Sequence, residues 1–323
     1  MNVLDKINSA KGPLFTFELL PPLKGHSIER TYAAIDRLME YEPAYINFTS
    51  HRNETILRER PDGLLEKKIV RLRPGTFALA AAVKYKYNIL VVPHVLCGGF
   101  TKEETENVLI EMRFLGIDDV LALRGDPQKG SRSFIPEKNG HTHTSELIGQ
   151  IMDMNKGKYL EDNLENADPT NFCVGVAGYP EKHFEAANRQ VDMENLKRKV
   201  EAGASYIVTQ MFFDNDKFFS FVQLARAEGI DISIIPGILP IMSYGQLERM
   251  LSMARVTLPS SLMERIEKFK DKPEDIKKIG IEFASSQCQQ LIDANGSGLH
   301  FYTLNTSSSV APILDNLGLE DTE

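Results

Sequence analysis

Eight short apolar runs, each too short for a buried helix and each followed by a segment of different periodicity, constrain this chain more than any other feature. They are PLFTFEL (13–19), YINFTS (45–50), ILVVPHV (89–95), DVLALRG (119–125), FCVGVAG (172–178), YIVTQMF (206–212), ISIIPGI (232–238) and GLHFYTLN (298–305). β-Branched and aromatic residues enrich them, which suits the pleated, packed surface of a strand. Between them, TKEETENVLIEMRFLG (101–116) opens on a threonine able to cap a helix, carries acids in its first turn and closes on Gly116. ENLKRKVEAGA (194–204) and NDKFFSFVQLARAEG (215–229) end in a similar way, just before the next apolar run. Parallel strands need a crossover connection, so strand and helix in alternation imply parallel pairing. The expected fold is α/β, a (β/α)8 TIM barrel forming a single domain over 1–323 with extra helices; an open doubly wound sheet is the alternative.

Composition narrows the function. With 323 residues, 42% hydrophobic and 25% charged, the chain is long enough for one large core. A net charge of -8 argues against a nucleic-acid partner, because phosphate-backbone affinity rests on a surplus of Lys and Arg. Cys97, Cys173 and Cys288 are far apart and form no CxxC pair or metal-ligand spacing, so reduced thiols and no metal are expected. The N-terminus has no signal-peptide run and no segment approaches about 20 apolar residues, so the expectation is a cytoplasmic protein with no membrane contact. Neither G-x-G-x-x-G nor G-x-x-x-x-G-K-[ST] follows any strand, and HExxH and G-x-S-x-G are absent. Any cofactor must then be held by the barrel mouth. The interval from Gly130 to Asn171 reads as a polar insertion around one helix, in which His141 and His143 are expected to be solvated. The gap from Pro240 to Gly298 leaves room for extra helices.

In a barrel of this kind the C-terminal strand ends share one mouth, where chemistry is found. The ends here are Glu18, Thr49, His94, Arg124 with Asp126, Ala177 with Tyr179, Gln210, and Thr303 with Asn305. Each has a plain reading alone. Glu18 suits a solvated strand end, His94 a core imidazole bonded to a carbonyl, Gln210 a loop tie, and RGDP (124–127) a polar turn. Their convergence at one end of one barrel is what argues for a site. Asp192, Asn195 and Lys199 stand at i, i+3 and i+7 on one helix face, with Arg198 beside them. Such a face is either a solvated charge stripe or a grip for pyrophosphate and ribose.

Read in order, FTFELLPP, INFTSH, VVPHVLC, VLALRGDP, VAGYPEKH, NLKRKVEAGASYIVTQMFFD, IIPGILPI and LHFYTLN closely resemble the methylenetetrahydrofolate reductase family, from Phe15 to Asn305. The resemblance implies a barrel flavoprotein that binds FAD without a Rossmann fold. It would reduce 5,10-methylenetetrahydrofolate to 5-methyltetrahydrofolate with NADH or NADPH, the two substrates taking turns at one flavin face, in the one-carbon supply to methionine biosynthesis. A homo-oligomer and no C-terminal regulatory domain are expected. By the same resemblance Glu18 matches the general acid, Asp126 the aspartate that meets the pterin near the flavin, and Gln210 a substrate-ring contact. Thr49, Ser50, His94, Arg124, Gly125, Asp126, Tyr179, His183, Asp192, Asn195, Arg198 and Lys199 fall on FAD-holding positions, and Gln246 on a further substrate-side position.

Three departures stand out. SHRNETILRERPDG (50–63) replaces a Gly-rich turn and touches the contacts of Ser50 and His51; His143 replaces an aromatic; Thr306 replaces an arginine credited with substrate contact. The implied chemistry needs N10 of the folate protonated as its imidazolidine ring opens, and a carboxyl in a partly apolar mouth is expected to have a raised pKa. The other classes considered are a barrel flavoenzyme of the proline-dehydrogenase type and a folate-binding subunit without turnover.

Overall fold

A computed structural model describes residues 1–318 apart from 129, 130, 132 and 295. The eight apolar runs become strands β1 (Leu14–Leu19), β2 (Tyr45–Phe48), β5 (Leu90–Leu96), β6 (Asp119–Leu123), β7 (Cys173–Gly178), β8 (Tyr206–Met211), β9 (Ser233–Ile238) and β10 (Gly298–Tyr302). Strands β3 (Glu54–Glu59) and β4 (Leu65–Val70) form a separate antiparallel hairpin. The parallel strands close in the order β1-β10-β9-β8-β7-β6-β5-β2, so the open sheet is set aside.

Period-two alternation decides which side chains enter the barrel. Phe17, Leu19, Ile46, Phe48, Val120, Val174, Ile207 and Phe301 point outward and are buried beneath the helices. Tyr45, Val92, Leu121, Cys173, Tyr206, Val208 and Ile235 point inward and fill the barrel floor. The short helix Val3–Ser9 joins this floor through Val3, whose N–H donates to the buried Asp119 carboxylate at 2.8 Å. Above the floor the inward positions turn polar: Thr16, Glu18, Asn47, His94, Gln210 and His300.

The 101–116 segment is helical over Lys102–Phe114, and Thr101 and Glu104 cap it reciprocally, Glu104 N–H to Thr101 Oγ1 at 3.1 Å and Thr101 N–H to Glu104 Oε2 at 2.8 Å. The 194–204 segment starts earlier, at Arg189, because Asn188 accepts the Val191 N–H at 2.9 Å and caps a first turn too polar to show apolar periodicity. The insertion carries the helix Thr144–Met154, and its first residue, Gly130, lies outside the described residues. His141 is buried, not solvated: its Nε2 lies 2.6 Å from Gln150 Oε1, and the same amide donates to the Lys102 carbonyl at 2.9 Å. Between β9 and β10 lie helices Tyr244–Ala254, Ser260–Glu267 and Pro273–Asp293, packed around Phe213, Ile241, Leu262, Ile266 and Ile276.

The hairpin was not anticipated from the sequence. Its strands are mostly exposed, so no buried stripe marks them; the signal present is the turn at Pro61-Asp62-Gly63. Gly63 takes φ +78° there and donates to the Arg60 carbonyl at 2.9 Å. The three cysteines are free and buried. No helix among the described residues is long and apolar enough to cross a membrane.

Candidate active site

A cavity of about 960 Å³ opens at the C-terminal mouth of the barrel, a volume suited to a large organic ligand. Glu18, Thr49, Ser50, His94, Arg124, Gly125, Asp126, Tyr179, His183, Asp192, Asn195, Arg198, Lys199 and Gln210 all line it. Gln246 does not. Its Oε1 accepts from the Met242 N–H at 2.7 Å and its Nε2 donates to the Pro240 carbonyl at 3.1 Å, so its amide braces the turn after β9. Met250 and Met253, further along the same helix, reach the cavity instead. His51 and His143 also line it, whereas Thr306 turns away and donates to the Thr303 carbonyl at 3.0 Å.

The acidic side is built by β1, β5 and β10. Glu18, its side chain 15% exposed, brings Oε2 within 3.5 Å of His94 Nε2 and 3.6 Å of His300 Nε2. Burial pushes the Glu18 carboxyl up, but the His300 ring and the nearby His94 and His51 imidazoles outweigh it and hold the carboxyl below the usual range. This corrects the expectation of a raised pKa: that expectation allowed for burial, but the imidazoles arrive from distant parts of the chain. Burial pulls His94 down to about 4 against the attraction of Glu18, so this imidazole is uncharged at neutral pH. His94 also departs from a core histidine satisfied by a carbonyl, since its buried Nε2 has no hydrogen-bond partner and faces Glu18.

The turn after β6 explains why two charges end an apolar strand. Gly125 sits at φ +85°, a conformation that favours glycine, and the chain reverses there with Arg124 and Asp126 on either side of it. Arg124 forms an ion pair with Glu185 and lies 5.0 Å from the ring centre of Phe134. Asp126 makes no side-chain hydrogen bond or ion pair among the described residues and lines the cavity. In β8 the pairing with β9 shifts between Val208 and Met211, an irregularity beside Gln210. Such a bulge re-aims a side chain at a strand end.

The helix Arg189–Glu201 supplies the opposite wall. Lys199 Nζ donates to the Ala177 carbonyl at 2.7 Å and lies 5.7 Å from the Tyr179 ring centre; burial pulls its ammonium down to about 8. Arg198 donates to Asn195 Oδ1 at 3.1 Å, and Asp192 Oδ2 accepts the His183 N–H at 3.1 Å. The His183 ring meets Tyr179 edge to face at 4.7 Å, and burial pulls its imidazole down to about 4. One wall is therefore rich in cations, the floor under Glu18 holds a carboxylate and neutral polar groups, and Leu121, Leu123, Val208, Met211 and Leu239 supply apolar surface. Among the described residues, His94 Nε2 and Arg52 Nη2 line the cavity, buried and without hydrogen-bond partners. Cations, apolar walls and unpaired donors and acceptors in one cavity fit an anionic dinucleotide with a flat ring system. Among the described residues no three His, Cys, Asp or Glu side chains are grouped to hold a metal ion.

Arg52, Glu185 and His300 were not singled out from the sequence. Arg52 lies in the segment that departs from the resemblance, and Glu185 is visible only through its contact with Arg124. His300 did carry a signal, because it stands two residues before Tyr302 and so on the same inward face of β10.

The fold and cavity describe a (β/α)8 barrel protein with a large cavity at its C-terminal mouth. Among solved structures, an uncharacterised protein from Clostridium thermocellum that binds two copies of 5-methyl-5,6,7,8-tetrahydrofolic acid superposes with a TM-score of 0.62, at 12% identity, over 98% of this chain and 99% of that one. The NADH-type methylenetetrahydrofolate reductase 1 of Arabidopsis thaliana is 33% identical, over 99% of this chain and 51% of that protein. The 5,10-methylenetetrahydrofolate reductase of Salmonella typhimurium is 29% identical, over 94% of this chain and 90% of its own. The chain thus spans about half the length of the plant relative and most of the bacterial one. Residues 3–318 match the family profile of methylenetetrahydrofolate reductase, and the chain belongs to that family.

Proposed function

We propose that the chain reduces 5,10-methylenetetrahydrofolate to 5-methyltetrahydrofolate, with a reduced nicotinamide dinucleotide as the electron source and FAD held in the barrel mouth. The observation that carries this reading is one cavity in which an imidazole-flanked carboxyl, the Asp126 carboxyl and a cation-bearing helix face one another. Asn195, Arg198 and Lys199 would hold the pyrophosphate and ribose of the cofactor, with Tyr179 and His183 against its apolar parts. Bound FAD supplies the hydride chemistry.

The chain's own groups do the rest. Glu18 donates a proton to N10 of the folate, the N10–methylene bond opens, and the resulting iminium carbon becomes the hydride acceptor. Asp126, which makes no side-chain hydrogen bond or ion pair among the described residues, binds the pterin and stabilises the developing cation. Gln210, on the irregular end of β8, fixes the ring edge by hydrogen bonds. The apolar surface from Leu121, Leu123 and Val208 keeps water from the reacting atoms.

The test uses the purified protein under anaerobic conditions. Flavin absorbance should bleach on addition of NADH or NADPH and return on addition of methylenetetrahydrofolate; a protein that bleaches but never recolours with folate refutes the reading. Asp126→Asn is expected to weaken equilibrium folate binding about tenfold, since a charge-assisted hydrogen bond is lost. It should also make bound flavin easier to reduce, because one negative charge leaves the cavity. Titration of folate against the oxidised protein and a redox titration check the two halves separately.

A further inference from the structure

His300 is fully buried in β10 and takes no part in the binding or proton-transfer steps assigned above. Its Nδ1 is 2.8 Å from the hydroxyl of Thr16, itself fully buried in β1. Its Nε2 has no hydrogen-bond partner and lies 3.6 Å from Glu18 Oε2. Tyr302 holds the ring from the side, edge to face at 5.1 Å, and is itself anchored by its hydroxyl donating to the Thr209 carbonyl at 2.7 Å. We propose that His300, its ring oriented by Thr16, is the positioning residue for Glu18: it aims Oε2 and stabilises the carboxylate left when Glu18 gives up its proton. This rests on the reading of Glu18 as the proton donor to folate.

The chemistry of the two partners makes this arrangement work. A threonine hydroxyl both donates and accepts, so it can satisfy Nδ1 with or without a hydrogen. When Thr16 donates to Nδ1, Nε2–H points at an ionised Glu18. When Glu18 is protonated its acidic hydrogen sits on Oε1, and Oε2 still faces Nε2–H. As the Glu18 O–H bond breaks and the N10–H bond forms, Nε2–H stabilises the carboxylate left behind. His94 approaches the same oxygen at 3.5 Å, but no hydrogen bond among the described residues fixes its ring.

The charged and titratable groups facing Glu18 are His94 from β5, His51 from the loop after β2, and His300 and Tyr302 from β10. Of these, the contact with His300 is the strongest influence opposing burial. Without it the carboxylate loses its strongest stabilising contact, and Glu18 becomes a weaker acid that keeps its proton to higher pH.

The test compares His300→Asn, Thr16→Val and Thr16→Ser with the parent holoenzyme, following folate-dependent flavin reoxidation from acid to alkaline pH by stopped flow. In His300→Asn the limb over which the rate falls with rising pH should move up by about one unit. Thr16→Val should move it the same way, and Thr16→Ser, which keeps the hydroxyl, should restore the parent profile. A second readout needs no turnover: the carboxyl infrared band of Glu18, assigned by difference against Glu18→Gln, should titrate at higher pH in His300→Asn and Thr16→Val. If His300→Asn does not fold, the two Thr16 variants decide. A limb and a carboxyl band that both stay put in the folded variants overturn the inference. Folate reoxidation that survives Glu18→Gln overturns the underlying reading instead.

Discussion

Replacing Glu18 by glutamine should slow folate-dependent reoxidation of the bound flavin by ~100-fold or more, the usual loss for a general acid. Bleaching by NADH or NADPH should proceed close to the normal rate, because the nicotinamide half-reaction needs no proton on N10. Glutamine keeps the shape and hydrogen-bonding reach of Glu18 within 3.5 Å of His94 and 3.6 Å of His300, so cofactor content should not change. The pH dependence gives a second signature. The Glu18 carboxyl is held below its usual range, so only a minority of molecules carry the proton near neutrality, and the folate step should slow as pH rises through and above that lowered pKa. Glutamine does not titrate, so the residual rate should lose this limb. Equal loss of both half-reactions, or a colourless protein, would make Glu18 a structural or cofactor-holding residue.

The barrel was legible because each strand carries its own evidence. In PLFTFEL the outward Phe17 and Leu19 alternate with the inward Thr16 and Glu18, and both faces are packed. The hairpin was not legible for the converse reason: Leu57, Leu65 and Ile69 are all more than 60% exposed, so nothing in ETILRE or LEKKIV has to alternate. The mouth was legible wherever a polar residue ended an apolar strand, as with His94 and Gln210. Gln246 was implied by the resemblance, not by a strand end, and it does not line the cavity. It follows a strand end by several residues, and the local helix cap of Ser243, accepting the Gln246 N–H at 3.2 Å, turns its amide back onto the backbone.

Electrostatics was the least legible level. The acidity of Glu18 depends on imidazoles carried by β5 and β10, and the availability of Arg124 depends on Glu185 from the loop after β7. Sequence spacing assigns residues to faces of their own elements, but pairs between elements exist only after the barrel closes. This is why a helix stripe such as Asp192, Asn195 and Lys199 could be read in advance, while the sign of the Glu18 shift could not.

Gly237→Ala should destabilise the protein by about 3 kcal/mol, at the upper end for overpacking, and disturb the site from below. Gly237 lies on β9 where the barrel narrows under the mouth: a Cβ there would stand 2.2 Å from the Thr209 carbonyl oxygen and 2.8 Å from both the ring and the hydroxyl of Tyr302. Neither neighbour can yield freely. Thr209 Oγ1 accepts the Gly237 N–H at 2.9 Å, and its carbonyl accepts from Tyr302 at 2.7 Å, so one added methyl pushes apart β8, β9 and β10 together. Gln210 and the ring that supports His300 would move with them, so folate affinity should fall along with stability. Gly245→Ala is the matched control, because nothing lies within 4 Å of a Cβ in that first helical turn. Alanine there should be neutral or stabilise by about 0.5–1 kcal/mol through helix propensity. Urea unfolding midpoints of the two variants, measured with the parent, carry the comparison. Equal midpoints for Gly237→Ala and Gly245→Ala would mean that the three strands are not packed against a bare glycine at this level of the barrel.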